Sequence, residues 1–290
     1  MMVFINEELL SLVLLNKNDI SDLFKLSNSI GWDYDEKEIA TIMRTGKIYG
    51  HKNCKGKVVS SAAIITYDTK AASIGMVIVD KAYRGLGLAK DATLKCIDSV
   101  PNTVSIMLIA TEEGIPLYEK IGFKAINSVH KYLCENYKPV KFAEINGITL
   151  ENFSNIHFNC VINIDEKAFG ARRSSFLYNR IIQSENCIVA KDYKNNVIGY
   201  GAAISGPENL ILGPIVAPDN KVAALLVNSL ASRHQGKLRI DVPSGKEEFM
   251  IVLQEMGFMM VNNPPIMIIN SPTMPLRNNT LFGIAAQVFG

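Results

Sequence analysis

Two stretches of this chain, 140 positions apart, carry the same pattern. Ile48-Tyr-Gly-His-Lys-Asn-Cys-Lys-Gly-Lys-Val-Val-Ser-Ser-Ala-Ala-Ile64 is answered by Ile188-Val-Ala-Lys-Asp-Tyr-Lys-Asn-Asn-Val-Ile-Gly-Tyr-Gly-Ala-Ala-Ile204. Each reads as strand, polar turn, strand. The turns hold Lys55-Gly56 and Asn195-Asn196, residues that tolerate the positive φ a tight hairpin requires. Ile78-Val79 recurs as Ile215-Val216, and Ile121-Gly-Phe123 as Met256-Gly-Phe258, at offsets of 137 and 135. Three landmarks in one order, with slowly falling offsets, mean two copies of one fold with small deletions in the second.

The apolar and polar periods give the first copy as helices at 17–30 and 35–45, a hairpin at 47–66, a strand at 73–80, a helix at 87–99, a strand at 104–110, a helix at 114–121 and a strand at 123–134. The second copy follows the same order. Strands with helices between them imply a mixed α/β sheet in each half, with helices on both faces. The polar segment Glu135-Asn-Tyr-Lys-Pro139 marks the junction, since Pro turns the preceding residue away from helix. We therefore expect two units, 1–137 and 138–290.

The chemistry concentrates in the first unit. An apolar run, Ile74–Val79, ends at a polar turn, Asp80-Lys-Ala-Tyr-Arg-Gly-Leu-Gly-Leu-Ala89, and a helical pattern follows at once. Gly85 and Gly87 allow close backbone approach, Arg84 adds a charge, and a helix N-terminus aims N–H groups at an anion. A dinucleotide fingerprint is disfavoured because Lys90 stands where its third glycine belongs. A P-loop is excluded because no Gly-Lys-Ser/Thr follows. Downstream, Thr111-Glu-Glu-Gly-Ile-Pro-Leu-Tyr-Glu-Lys-Ile-Gly-Phe123 reads as a helix with Pro116 in its first turn and Gly122 at its stop. Tyr118 lies on its apolar face, either as packing or as a proton donor.

Together these segments resemble the GNAT superfamily of acyl-CoA-dependent N-acetyltransferases. The Arg/Gln-x-x-Gly-x-Gly/Ala turn of that family is matched by Arg84-Gly-Leu-Gly-Leu-Ala89. The resemblance implies that Arg84, Gly85, Leu86, Gly87, Leu88, Ala89 and Lys90 cradle the pyrophosphate of acetyl-CoA as co-substrate. It implies that Val77, Ile78 and Val79 lie on a splayed strand and hydrogen-bond the pantetheine arm, and that Tyr118 is the general acid. Thr111 occupies a position where the family often has Asn, and a hydroxyl there replaces part of that polar contact. Ile30-Gly-Trp-Asp-Tyr34 is similar to the Gly-Trp that precedes the acceptor-lining helix. Trp32 reads as core packing or pocket lining, and Asp33, like Glu36, as a base, an ammonium binder or, by preference, a helix-starting acid.

The second unit lacks this equipment. Its turn, Ile215-Val-Ala-Pro-Asp-Asn-Lys-Val-Ala-Ala224, has no glycine pair and no Arg, and Asp219 would repel a phosphate. Gln254 stands where the first copy has Tyr118. The unit resembles the degenerate C-terminal half of tandem GNAT proteins, with Asp165–Gly170, Arg172, Arg173 and the tail from Pro275 to Gly290 as matching features. It either shapes the acceptor pocket or buries a face of the first unit, as an internal pseudo-dimer in a monomer or within a homodimer. One active site per chain follows.

The remaining composition excludes other classes. A net charge of +2 without a dense basic block gives no case for nucleic acid. Apolar runs stay below the ~18 residues a span needs, so no membrane partner is expected. Leu9–Leu15 lacks the basic leader and cleavage site of a signal peptide. The five cysteines are odd in number and none sits at Cys-x-x-Cys spacing, which argues for a reducing, cytoplasmic setting, with no metal site. The expected activity is transfer of acetyl from acetyl-CoA to a small-molecule amine such as an amino acid, polyamine or aminoglycoside. An acyl-CoA-binding sensor without transfer is the alternative.

Overall fold

The computed structural model describes residues 2–5, 8–140 and 147–290. The first copy runs β1 (Met2–Ile5), β2 (Glu8–Leu14), α1 (Ile20–Asn28), α2 (Glu36–Thr45), β3 (Gly46–Lys52), β4 (Ser60–Tyr67), β5 (Ala71–Val79), α3 (Leu88–Ile97), β6 (Ser105–Ile109), α4 (Ile115–Ile121) and β7 (Lys124–Cys134). The second runs β8 (Thr149–Asn152), α5 (Phe158–Phe169), α6 (Ser174–Gln183), β9 (Asn186–Lys191), β10 (Val197–Ser205), β11 (Asn209–Val216), α7 (Asn220–Ala231), β12 (Lys237–Pro243), α8 (Glu247–Glu255), β13 (Met259–Asn262), β14 (Pro265–Ile269) and β15 (Leu281–Gly283). The mixed α/β class is as expected, and the hairpin turns use Gly56 (φ 78°) and Asn195 (φ 63°) for the positive φ anticipated. The early apolar stretch is the strand β2, paired to β3. The first helix is shorter than its apolar period. A 3-10 turn at Lys17–Asp19 is capped by Asn16, and α1 stops before Gly31, whose φ of 74° suits glycine.

The strand order is β1-β2-β3-β4-β5-β6-β14-β7-β12-β11-β10-β9-β8, with β13 beside β7 and β15 beside β11. Each copy thus completes its sheet with a strand from the other. The strand β14 inserts between β6 and β7, pairing Ile266 with Ile109 on one side and Asn127 on the other. The strand β7 serves both halves. Its first residues pair with β14, and Val129–Cys134 pair with β12. No local pattern reveals this exchange, because alternation tells which face a residue takes and not which strand lies beside it.

The helices sort by the face they cover. Leu23, Leu26, Ile39 and Ile42 of α1 and α2 share one cluster with Val161, Phe169, Phe176 and Leu177 of α5 and α6. This shared layer lies between the two halves. Helix α3 and residues of α4 cover the opposite face of the first half, and α7 and α8 that of the second. The C-terminal tail threads the inner layer. Tyr67 donates to the Phe289 carbonyl at 2.7 Å, Ser73 donates to the Val288 carbonyl at 2.6 Å, and Val288 lies so close to Gly75 that a Cβ there would come within 2.7 Å of it. Gly75 is glycine because the tail passes over it.

Candidate active site

The site is built where β5 parts from β6. These parallel strands pair from Ala71–Ser105 to Ile74–Leu108 and no further. Met76 then takes φ 52° and interrupts the register with β4, a bulge that bends the strand and turns its side chains over. Ser61, fully buried, holds the bulge by donating to the Met76 carbonyl at 2.8 Å. Met76 and Ile78 consequently face the inner layer, whereas Val77 faces α3 and α4. The edge of β5 beyond Ile74 is left without a β6 partner, and its N–H and C=O groups are available to an extended ligand.

The turn after β5 begins with Asp80, whose carboxylate caps a 3-10 turn at Lys81–Tyr83 through the Ala82 N–H. Gly85 (φ 81°) and Gly87 (φ 78°) are both left-handed, and Gly87 is the N-cap of α3. Neither has any atom within 4 Å of where a Cβ would stand, so the turn opens on unfilled space. Among the described residues, no N–H from Arg84 to Lys90 donates to a protein acceptor; the first bond of α3 is Asp91 N–H to the Gly87 carbonyl at 3.1 Å. A run of unsatisfied N–H groups at a helix start is an anion site. Arg84 is half exposed, 3.9 Å from Glu113, at the edge of the same opening.

The hairpin joining β3 and β4 clasps this turn at both ends. Lys57 pairs with Asp80 at 3.0 Å and Asn53 donates to the Tyr83 hydroxyl at 3.2 Å. His51, 1 % exposed, places Nδ1 2.7 Å from the Ser60 hydroxyl and Nε2 3.1 Å from the Asp91 carboxylate in the first turn of α3. Burial lowers the His51 pKa while its hydrogen bond to Asp91 acts against that shift. Nothing in the spacing of these residues announced the network. The partners are 40 positions apart.

Tyr118 lies on α4, in one cluster with Val77, Cys96 and Phe123. Its ring meets Phe123 edge-on at 5.9 Å, and a Cβ on Gly114 would press it at 2.8 Å. Its hydroxyl makes no hydrogen bond among the described residues, and it is not among the fully enclosed polar atoms that lack a partner. It therefore reaches solvent space. Burial, with a smaller contribution from Cys96, pushes its pKa up to about 12, so the phenol keeps its proton at neutral pH. Thr111 is exposed, and its carbonyl accepts from Gly114 and Ile115 to start α4.

The structure thus gathers Val77, the turn at 84–90, Thr111 and Tyr118 on the α3/α4 side. Trp32 and Asp33 lie across the sheet in the inner layer. Trp32 sits 6.0 Å from the Tyr34 ring. The Asp33 carboxylate accepts from the Glu208 N–H at 3.1 Å and from Asn209 Nδ2 at 3.0 Å, so it ties the α1–α2 loop to the second half.

The equivalent places in the second half are filled. Asp219 caps α7, accepting from the Lys221 and Val222 N–H groups at 2.9 Å each, so its own carboxylate takes the anion position. The strands β11 and β12 pair only over Asn209–Ile211, and β15 enters beyond, pairing Gly283 with Ile215 and Leu281 with Val216. Chain therefore occupies the opening that β5 leaves free. Among the described residues no cluster of His, Cys, Asp and Glu is placed to hold a metal, and no helix is long and apolar enough to cross a membrane.

An open β5 edge beside an N–H-lined turn, in a twice-built mixed sheet, defines a class of acyl-group-transfer proteins. Family models described as acetyltransferase (GNAT) domain match residues 37–132 and 161–283. An uncharacterized N-acetyltransferase of Bacillus subtilis (strain 168), YitH, is 36% identical over 280 residues, covering 96% of this chain and 98% of that protein. The chain belongs to the GNAT N-acetyltransferase family and is an acyltransferase. Among solved structures, a putative acetyltransferase from Pyrococcus horikoshii shares the fold with a TM-score of 0.81 at 21% identity, over 97% of this chain and 96% of that one. A tandem GNAT protein from the clavulanic acid biosynthesis pathway aligns with a TM-score of 0.67 at 14% identity, over 91% and 99%.

Proposed function

We propose that the first half transfers acetyl from acetyl-CoA directly to a small amine, and that the second half binds no coenzyme. The observation that carries this is the pair of open features on one side and their filled counterparts on the other. The N–H groups from Arg84 to Lys90 fit a pyrophosphate, with Arg84 beside them. The free edge at Val77, Ile78 and Val79 fits the amide groups of a pantetheine arm. In the transfer the acceptor nitrogen bonds to the acetyl carbon, the carbon–sulfur bond breaks, and the nitrogen loses a proton to water, which reprotonates Tyr118 once the sulfur has left. Tyr118, protonated and unpartnered, supplies a proton to the departing sulfur. A β5 N–H stabilises the oxyanion, and holding both reactants in one cleft removes the orientation cost. The units 1–137 and 138–290 divide this labour, although the strands that complete each sheet cross the division.

The experiment is release of free thiol from acetyl-CoA with a panel of amines, alongside thermal shift by coenzyme A. Amine-dependent release supports transfer. A thermal shift without release from any amine would make the chain an acyl-CoA sensor, and no shift would remove the coenzyme site. A sharper check targets the turn. Gly87→Ala adds a methyl group where no protein atom stands and forces a left-handed residue, at about 1–2 kcal/mol. We expect a folded protein whose coenzyme A affinity, measured by calorimetry, falls tenfold or more. Undiminished affinity would place the pyrophosphate elsewhere.

A further inference from the structure

The inner layer holds a second group of polar side chains with hydrogen-bonding capacity left over. Lys131 on β7 stands directly opposite Asp241 on β12, and its charged neighbours are Arg239, Asp241, Asp33 and Glu208. Tyr34, in the loop between α1 and α2, lies among Glu38, Arg239, Asp241 and Arg180. Of the three carboxylates around Lys131, Glu208 is exposed and the other two are already satisfied. Asp241, 1 % exposed, takes Arg239 Nε at 2.9 Å, Arg239 Nη2 at 2.8 Å and Gln287 Nε2 at 3.3 Å. Asp33 takes the Glu208 N–H and the Asn209 amide. The donors are not. Among the described residues, neither the Lys131 ammonium nor the Tyr34 hydroxyl has a hydrogen-bond or ion-pair partner, and neither is sealed off with the enclosed unpartnered atoms.

A half-buried ammonium without an ion-pair partner favours an anionic ligand, since such a charge is costly unless something binds it. Burial, reinforced by Arg239 and opposed by Asp241, Asp33 and Glu208, holds the Lys131 ammonium below its usual pKa. The place is right for an acceptor. Leu108, where β6 leaves β5, aligns through Met267 with Ala125 of β7, and Lys131 lies further along β7 toward the open end. At strand spacings of about 4.8 Å its backbone stands roughly 15 Å across from the free edge of β5.

Resting on the acetyl-transfer reading above, we infer that the acceptor amine carries a carboxylate, held by Lys131 at the junction of the two halves. Polyamines and aminoglycosides, which bring only positive charge, would leave Lys131 without a counter-charge. The second half then contributes to substrate choice through Arg239 and Asp241, whose charges stand beside Lys131.

The test compares kcat/KM for acetyl transfer to the protein amino acids, γ-aminobutyrate and diglycine, each beside its carboxamide, in the wild type, Lys131→Met and Lys131→Arg. The wild type is expected to prefer the free acid of its best acceptor by more than tenfold. Lys131→Met should lose that preference through KM for the free acid, and Lys131→Arg should restore part of it. Equal use of acid and carboxamide, or a preference that survives Lys131→Met, would overturn the inference. If coenzyme A binds but no amine is acetylated, the transfer reading fails and this site is judged by binding alone. The same carboxylates should then raise the melting temperature of the wild type and not of Lys131→Met, and no shift in the wild type would overturn it.

Discussion

Tyr118→Phe is expected to lower kcat at least a hundredfold, within the 10²–10⁴ range a positioned acid contributes, and to leave the affinity for coenzyme A within a few-fold. The substitution removes one oxygen and keeps the ring, so the contacts with Phe123 and Gly114 persist and the fold is not at stake. Among the described residues the hydroxyl has no hydrogen-bond partner to lose. The whole effect therefore falls on what the phenol does to the bound reactants. Because burial raises its pKa to about 12, the phenol is protonated throughout the physiological range, and its ionisation contributes no alkaline fall in rate there. Stopped-time thiol release and calorimetry with coenzyme A read the two quantities separately. Wild-type turnover in the variant would remove Tyr118 from the chemistry.

Glu38→Ala is expected to destabilise the protein by about 3–5 kcal/mol, the usual cost of leaving a buried charge without its partner. Arg180, fully buried on α6, donates Nη1 to Glu38 Oε2 on α2 at 2.5 Å, Nη1 to Gln183 at 3.1 Å and Nη2 to the Ala285 carbonyl at 2.6 Å. Gln183 also donates to Glu38 at 2.6 Å. One knot thus joins a helix of the first half, a helix of the second and the C-terminal tail. Removing the carboxylate strands the guanidinium, whose Nε already lacks a partner. The double variant Glu38→Leu/Arg180→Met should recover most of the loss, since an apolar pair of similar volume replaces a buried ion pair at little cost. Urea midpoints for the two variants and the wild type decide it. An unchanged midpoint in Glu38→Ala would show that the halves do not depend on this knot.

The parts of the site that were legible in the sequence are those made by residues close together in the chain. The turn at 84–90 could be read because glycines with positive φ and a helix start are local events. Tyr118 could be read because the segment from Thr111 to Phe123 carries its own start and stop. The bulge at Met76 was not legible, since a methionine at φ 52° has no local signature and is held from β4 by Ser61. Asp33 was visible as a carboxylate after a Gly-Trp pair, but its attachment to Glu208 and Asn209 was not. Lys131, Arg239, Asp241 and Gln287 gave no sign at all, because their meaning depends on which strands and tail residues become neighbours.

The sequence by itself determined that the chain contains one fold twice, that the copies are mixed α/β, and that only the first carries a turn with a glycine pair and an arginine. Those properties follow from period, turn chemistry and side-chain charge, which act over a few residues. Tertiary structure alone decided how the copies are joined. It sent β14 into the first sheet, gave β7 to both, placed β15 in the opening of the second copy and laid the tail over Gly75. Strand pairing is made by backbone groups that every residue carries, so the sequence marks a strand without naming its partner. Only the closing of a shared core over both halves selects the partner. That selection leaves one opening empty and fills the other.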